Sequence, residues 1–329
     1  MKKIAIVLIA TIPLLLSQAR AEDIALSLEE AFIIALRDNR DILLKEEDLK
    51  KAKAKIKEAD SALMPSLSVS AAWSQTRGYY EKELGQDNAQ LGLKQYLYKG
   101  GRIQNTIKQS KDKIEVSRAQ LDKTKAEVIF NVKKAFYTLM LSAEYADLNK
   151  EIFENSLSHL AAVKERYRMG QASESEVLGI EGSLSNVEEA YAVSLSQKEA
   201  SLALLRNLLY LDEKVNLIPE ADLKYEPKEF AYEEAFLRAM KVRPEIRQYE
   251  AQENSDKKAI EILKADNRPS VYASWDYYTR SRALATTSKN RNDYNVIGLT
   301  FSWPVFDGWA TKAKIDQAII DLKETQLYK

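Results

Sequence analysis

The chain of 329 residues contains no cysteine. That excludes a disulfide framework, a thiolate metal site, a cysteine nucleophile and a lipidated cysteine, so any hold on a membrane must come from the fold itself. Histidine occurs once, as His159, within a helical pattern where a solvated or packed residue is the simplest reading. No Ser/His/Asp set, metal-ligating cluster or phosphate-cradling glycine loop can be assembled around it, and the chain reads as no enzyme and as needing no cofactor. Glycine and proline are also scarce, at 10 and 7 residues, and Gly78, Gly100-Gly101 and Gly308 lack the spacing of a phosphate loop. Neither charge dominates: 49 basic and 49 acidic residues are interspersed along the chain. This argues against a nucleic-acid surface and against a polybasic membrane patch, and acid pairs such as Glu46-Glu47 and Glu188-Glu189 read as solvated helix faces.

Long apolar runs are missing too, with one exception. Met1-Lys2-Lys3, the run Ile4 to Leu16 and the small-residue site Ala19-Arg20-Ala21 have the three parts of a secretory signal peptide over residues 1–21, cleaved before Glu22. The run is too short to span a bilayer, which takes about 20 apolar residues. No later stretch approaches that length, so a membrane-spanning helix is excluded while a membrane-spanning β-barrel, with its weaker signal per segment, is not.

What the chain does have is an internal repeat. Leu28-Glu29-Glu30-Ala31-Phe32 with Ala35, Asp41 and Ile42 returns about 204 residues later as Tyr232-Glu233-Glu234-Ala235-Phe236 with Ala239, Glu245 and Ile246. Pro65-Ser66-Leu67 recurs in that register as Pro269-Ser270-Val271, and after a short slip Leu97-Tyr98-Lys99-Gly100 recurs as Val305-Phe306-Asp307-Gly308. The unit of construction is therefore helix, strand, strand, helix. The first repeat covers 22–211, with a helix over 28–60 opened by a Ser27/Glu30 capping box. Residues 212–229, with Pro219 and Pro227, read as a connector, and the second repeat runs over 230–329 with a helix over 231–266.

Between Arg102 and Met169 there is neither glycine nor proline, and Ile103, Ile107, Ile114, Leu121, Val128, Val132, Phe136 and Leu139 recur at helical spacing. Unbroken, such a helix reaches about 100 Å at 1.5 Å per residue, more than a single globular domain encloses. A second helical pattern from Ser173 to Tyr210 makes an antiparallel hairpin over 102–210 with its tip at Arg168 to Ser173.

Period two appears in four segments, expected as strands at 66–76, 89–98, 270–279 and 294–303. Leu67, Val69 and Trp73 alternate with serines; Val271, Trp275 and Tyr277 alternate with Tyr272, Ser274 and Asp276; Leu299, Phe301 and Trp303 alternate with Thr300 and Ser302. The polar segments Arg77 to Asn88 and Arg280 to Asp293 are expected to be exposed loops. The strands alone fit a soluble sandwich as well as a membrane barrel. Four strands cannot close a barrel, however, whereas several protomers giving four each can, with the apolar face in lipid and the Ser, Gly and Thr face lining water.

These features together resemble the TolC-like outer-membrane efflux protein family. The residues that carry the resemblance are the opening at 28–36 and its copy at 232–240, the Pro-Ser strand starts, Tyr98-Lys99-Gly100-Gly101 with Phe306-Asp307-Gly308, and Arg166-Tyr167-Arg168-Met169-Gly170-Gln171-Ala172-Ser173. The resemblance implies a mainly α fold with a β-barrel contribution: a homotrimer whose protomers each give four strands to one twelve-stranded barrel in outer-membrane lipid, continuing into a periplasmic α-helical tunnel. It further implies a passive exit duct for efflux or type I secretion, served by an inner-membrane pump and a periplasmic adaptor protein. The adaptor would dock on the hairpin tip, at Arg166, Tyr167, Met169, Gly170 and Gln171. Gln171 departs from the family's leucine and Asn39-Arg40 from its Asn-Pro, which Arg243-Pro244 restores in the second copy. Repeat arithmetic starts a second long helix at 309–329 and puts its tip beyond Lys329, so the chain reads as C-terminally incomplete. The competing reading from another class is an exported coiled-coil stalk with no pore, which has no need of four amphipathic strands.

Overall fold

In the order of the chain, the computed structural model contains β1 (Asp23–Leu26), α1 (Leu28–Asp38), α2 (Arg40–Ser61), β2 (Ser66–Tyr79), β3 (Lys82–Lys99), α3 (Arg102–Arg168) and α4 (Glu174–Leu209). It continues with β4 (Asn216–Pro219), α5 (Tyr232–Val242), α6 (Pro244–Lys264), a short 3₁₀ turn at Ala265–Asn267, β5 (Ser270–Leu284), β6 (Thr287–Ser302) and α7 (Ala310–Tyr328). The described residues are 23–79, 82–221, 227, 229, 231–284 and 287–329; the expected signal peptide, 1–21, lies outside them. The fold is mainly helical with two small sheets. Contacts group the chain into two compact units, one of residues 1–40 and 126–227, the other of 41–125 and 228–329.

The first unit is built on α1, α4 and the later part of α3. Ser27 opens α1 with a full capping box: its hydroxyl accepts from the Glu30 N–H at 3.2 Å, and the Glu30 carboxylate accepts from the Ser27 N–H at 3.0 Å. These bonds hold the Glu30 carboxyl below the ordinary glutamate range, because they favour its charged form. Ala31 and Ala35 are fully buried where α1 packs on α4, whose Leu205 and Leu209 are also fully buried. Small residues on one helix and large ones on the other let the backbones approach while filling the space between them. In α3, Val132, Phe136, Leu139 and Val163 are the most deeply buried large side chains. Beside them β1 and β4 pair in parallel, Leu26 opposite Pro219 and Ile24 opposite Leu217. This pairing was not expected from the sequence, which read residues 212–229 as a plain connector. Four-residue strands carry too few alternations to show a period, and only the neighbouring chain makes them strands.

In the second unit α2, the start of α3, α6 and α7 carry a four-stranded antiparallel sheet in the order β2-β3-β5-β6. Ile42, Ala52 and Ala59 of α2, Ile103, Val116 and Leu121 of α3, Ile260 of α6 and Ala318 of α7 are among its buried apolar residues. Polar bonds tie the helices together as well. Arg247 pairs with Asp122 at 3.1 Å, Arg102 pairs with Asp266, and the Thr325 hydroxyl donates to Asp256 at 2.7 Å.

Three sequence expectations need correction. The helices expected at 28–60 and 231–266 are each broken once. Asn39 and Arg243, one repeat apart, both leave the helix with extended backbone (ψ 122° and 125°) while their N–H groups still close the preceding turn on Ala35 and Ala239. At Arg243 the cause is Pro244, whose ring disfavours helical backbone in the residue before it. At Asn39 no proline follows, and the buried side chain instead donates to the Leu208 carbonyl of α4 at 3.5 Å. The second helix also ends sooner, at Lys264, before the 3₁₀ turn. Third, the segments 77–88 and 280–293 are for the most part strand, not loop: pairing continues through Thr76 opposite Leu84, Leu84 opposite Leu284 and Arg280 opposite Asn292. A ladder of backbone hydrogen bonds does not need an apolar face, so these strand ends left no period to read.

The step from β3 into α3 turns on Gly100 and Gly101, both left-handed (φ 60° and 85°). In the second repeat Gly308 and Trp309 take the same conformations (φ 68° and 69°) with one side chain present. Gly100 has a further reason to be glycine, since a Cβ there would lie 2.8 Å from the Ala265 carbonyl oxygen and 2.8 Å from the Arg268 Cβ.

Two outcomes follow from this packing. Gly100→Ala should lower stability by at least about 1 kcal/mol from the left-handed backbone alone, with the contact to the Ala265 carbonyl adding to the loss, as read by thermal unfolding. The Asp112 carboxyl is pushed up by burial, which outweighs the opposing pull of Lys258. A raised folded value means the group adds stability at pH below the ordinary aspartate range and loses that contribution as pH climbs through the raised value. Asp112→Asn should therefore raise the melting temperature relative to the parent more at pH 7 than at pH 4; an equal change at both would contradict the assignment.

Candidate functional sites

The hairpin tip is formed where α3 stops and α4 begins. Gly170 is left-handed (φ 71°), the Gln171 N–H donates to the Arg166 carbonyl at 2.8 Å and the Gly170 N–H to the Tyr167 carbonyl at 2.9 Å. That pair of bonds is the Schellman ending, which satisfies carbonyls the helix would otherwise leave open. Ser173 then caps α4, accepting from the Glu176 N–H at 3.2 Å. Ion pairs stitch the two helices just behind the turn, Lys164 to Glu181 at 2.8 Å and Arg166 to Glu176 at 3.6 Å. Further along, Phe153 and Tyr191 stack at 5.8 Å. Arg166, Tyr167, Met169, Gly170 and Gln171 are all exposed, and Met169 keeps 63% of its surface open. A rigid turn thus presents an apolar thioether and a tyrosine beside a guanidinium. Nothing lies within 4 Å of the place a Gly170 side chain would occupy, so the backbone conformation is the one demand the turn makes there.

The sheet brings the other named residues onto one face. Leu67 opposes Leu93, Leu93 opposes Trp275 and Trp275 opposes Ile297, so one row crosses all four strands. Adjacent rows on that face hold Val69, Leu91, Tyr277 and Asn295, then Gln95, Ala273 and Leu299, then Tyr98, Val271 and Phe301. Val69 and Trp73 on edge strand β2 are 76% and 71% exposed, and Ile297 on edge strand β6 is 83% exposed. Leu299 and Phe301 are exposed too, while Val271, Trp275 and Tyr277 on central β5 are half-buried by their neighbours. Trp303 sits one residue beyond β6, where its indole N–H donates to the Asn267 carbonyl at 3.1 Å. Leu97 is the extra residue of a bulge in β3: Tyr96 opposes Tyr272 but Tyr98 opposes Val271, which returns Tyr98 to the apolar face.

The opposite face is polar. Ser68, Gly92, Asp276 and Ser70, Gln90, Tyr278 form neighbouring rows, and Gln90 donates to Asp276 at 2.9 Å and to the Tyr278 hydroxyl at 3.2 Å. A Cβ at Gly92 would lie 2.8 Å from the Asp276 carboxylate, so the small residue makes room for that bond. Nearer the helices, Lys94 sits over the Tyr272 ring at 3.9 Å and the Tyr96 ring at 4.9 Å, and Lys99 lies 4.4 Å from the Tyr96 ring. Sequence reasoning passed over this cluster. Its signal was present, because Lys94 and Tyr96 share the parity of the polar positions, but the lysines and Tyr272 come from different repeats. Among the described residues no helix is long and apolar enough to cross a membrane, and no cluster of His, Cys, Asp and Glu could hold a metal ion.

Comparison with known proteins points one way. A family model described as outer membrane efflux protein matches residues 34–209 and 237–327. Among curated proteins, the chain is 23% identical over 186 residues to the outer membrane protein TolC of Escherichia coli, covering 52% of this chain and 36% of that one. It is 26% identical over 184 residues to the outer membrane efflux protein BepC of Brucella suis, covering 54% of this chain and 40% of that one. The chain thus matches well under half the length of these relatives. Among solved structures, the Campylobacter jejuni CmeC outer membrane channel superposes with a TM-score of 0.76 at 19% identity, over 92% of this chain and 66% of that one. The open state of the Neisseria gonorrhoeae MtrE outer membrane channel gives 0.71 at 17% identity, over 92% and 68%.

Proposed function

Because the chain belongs to the outer membrane efflux protein family, whose members are outer-membrane channels and not enzymes, we propose that it is one protomer of a passive exit duct through the outer membrane. The observation that carries this reading is the sheet. Its apolar alternation covers about seven residues along β2, β5 and the end of β6, or about 23 Å at 3.3 Å per residue, close to the height of the lipid-facing band of outer-membrane barrels. One row, Leu67, Leu93, Trp275 and Ile297, is apolar on all four strands, and β2 and β6 are left as open edges. Lipid tolerates no open edge, since each unpaired N–H and C=O there costs several kcal/mol. Pairing β6 of one copy with β2 of the next removes every edge once the ring closes, and three copies of four strands give twelve.

Within that assembly Leu67, Val69, Trp73, Val271, Trp275, Tyr277, Leu299, Phe301 and Trp303 face lipid, with the tryptophans and Tyr277 suited to the interfacial aromatic belt. The polar face lines water. The helical parts extend the duct into the periplasm, and the hairpin tip is the docking element for a periplasmic adaptor that recruits an inner-membrane pump. Tyr167 and Met169 supply its apolar contact and Arg166 its charged one. The two repeats and the connector are the construction units of such a protomer.

The test is the behaviour of the protein in membranes. The detergent-extracted protein should migrate as a heat-modifiable trimer and conduct ions in planar bilayers, whereas a coiled-coil stalk would do neither. Tyr167→Ala combined with Met169→Asp should leave trimer and conductance intact and abolish capture of the adaptor encoded by the source cell. Retention of the adaptor by that variant would remove the docking role from the tip.

A further inference from the structure

From the polar face of the sheet we infer a binding site for small anions, carboxylate- or phosphate-bearing solutes among them, formed by Lys94, Lys99, Tyr96 and Tyr272; the inference rests on the duct reading above. The geometry begins with two tyrosines from different repeats placed directly opposite each other, Tyr96 on β3 and Tyr272 on β5, with rings edge to face at 5.6 Å. Their π faces hold two ammonium groups. Lys94 lies over both rings and Lys99 over the Tyr96 ring. Among the described residues neither lysine makes an ion pair with a carboxylate.

Within the sheet, small hydroxyl residues face those charges, and Glu58 lines the same cavity as Lys99 without an ion pair to it. The facing positions are Ser66 and Ser274 opposite Lys94, Ser270 opposite Lys99 and Thr300 opposite Tyr272, all small hydroxyl residues. The nearest acid on this face within the sheet, Asp276, accepts a hydrogen bond from Gln90. The attraction of a cation to an aromatic face is enough to set its direction without neutralising it. An ammonium held this way still has N–H donors to offer, and serine, threonine and tyrosine hydroxyls beside it add neutral donors. That set suits a carboxylate, a phosphate or a halide and repels a metal cation or an amine. If three copies close a duct, the cluster becomes a ring of six lysines on its wall. Rings of lysine or arginine are how water-filled pores favour anions, because charge near low-dielectric walls raises the local concentration of the opposite sign.

Chloride is the first probe. Across a tenfold potassium chloride gradient in planar bilayers, the parent protein should reverse its current on the chloride side of zero. Lys94→Gln with Lys99→Gln should shift reversal toward the potassium side and lower the chloride-to-potassium permeability ratio several-fold, and Lys94→Arg with Lys99→Arg should restore it. Inorganic phosphate should block the parent current at lower concentration than it blocks the glutamine variant. A glutamine variant that forms the same trimer with the same conductance, selectivity and phosphate block overturns this inference and leaves the duct standing. Loss of trimer in the glutamine variant together with full selectivity in a single Lys99→Gln variant would assign the lysines to folding and overturn it as well. Absence of conductance from the parent trimer would remove the duct itself, and this site with it.

Discussion

The contact on which the large sheet of this protein depends is the antiparallel pairing of β3 with β5. These strands belong to different repeats and lie far apart in sequence, yet they are the centre of the sheet, flanked by β2 and β6. Their register decides everything about the two faces. With Leu93 opposite Trp275 and Leu91 opposite Tyr277, the apolar positions of both repeats fall in common rows; a slip of one residue would set leucines opposite Asp276 and Tyr278. The bulge at Leu97 then resets the phase, so that Tyr98 joins the apolar face and Lys99 the polar one. One sheet thus carries a lipid-compatible side and a water-compatible side without any apolar run long enough to stand out.

The two repeats show how one backbone solution is reached by different chemistry. Each opening helix breaks at the same place, at Asn39 by a buried amide reaching Leu208 and at Arg243 by the proline that follows it. Each sheet-to-helix step uses two successive left-handed residues, glycine twice in the first repeat but glycine and tryptophan in the second. There the turn is supported by Asp307, whose carboxylate accepts from the Thr311 N–H at 2.8 Å and is held below the ordinary aspartate range by bonds from Thr311. Geometry is shared where identity is not. The same holds for burial: Ala31 and Ala35 vanish against α4, whereas α5, with the same pattern of residues, buries none of its own.

The tip of the helical hairpin and the polar face of the sheet are the two places where chemistry is presented and not consumed. At the tip the backbone closes its own hydrogen bonds, and Tyr167 and Met169 stay exposed beside it. On the sheet the tyrosine pair positions two ammonium groups that the fold leaves unneutralised. The tip side chains are exposed and those of the sheet cluster half-buried, and both sets are fixed by structure behind them.

Much of this was legible in the sequence because its causes are local. The glycine-free helix, the Ser27 capping box and the one-sided alternation of Leu67, Val69 and Trp73 all follow from spacing within a few residues. The helix breaks, the strand extensions, the β1-β4 pair and the lysine-tyrosine cluster could not be read that way. A strand segment with polar residues on both faces has no period, a four-residue strand exists because of its partner, and Asn39 ends a helix because a carbonyl from α4 lies beside it. Sequence by itself determined which residues are apolar and at what period; tertiary structure decided which of them share a face and which are covered. The reason is that side-chain alternation is a property of the chain, whereas register and burial are properties of the neighbour it meets.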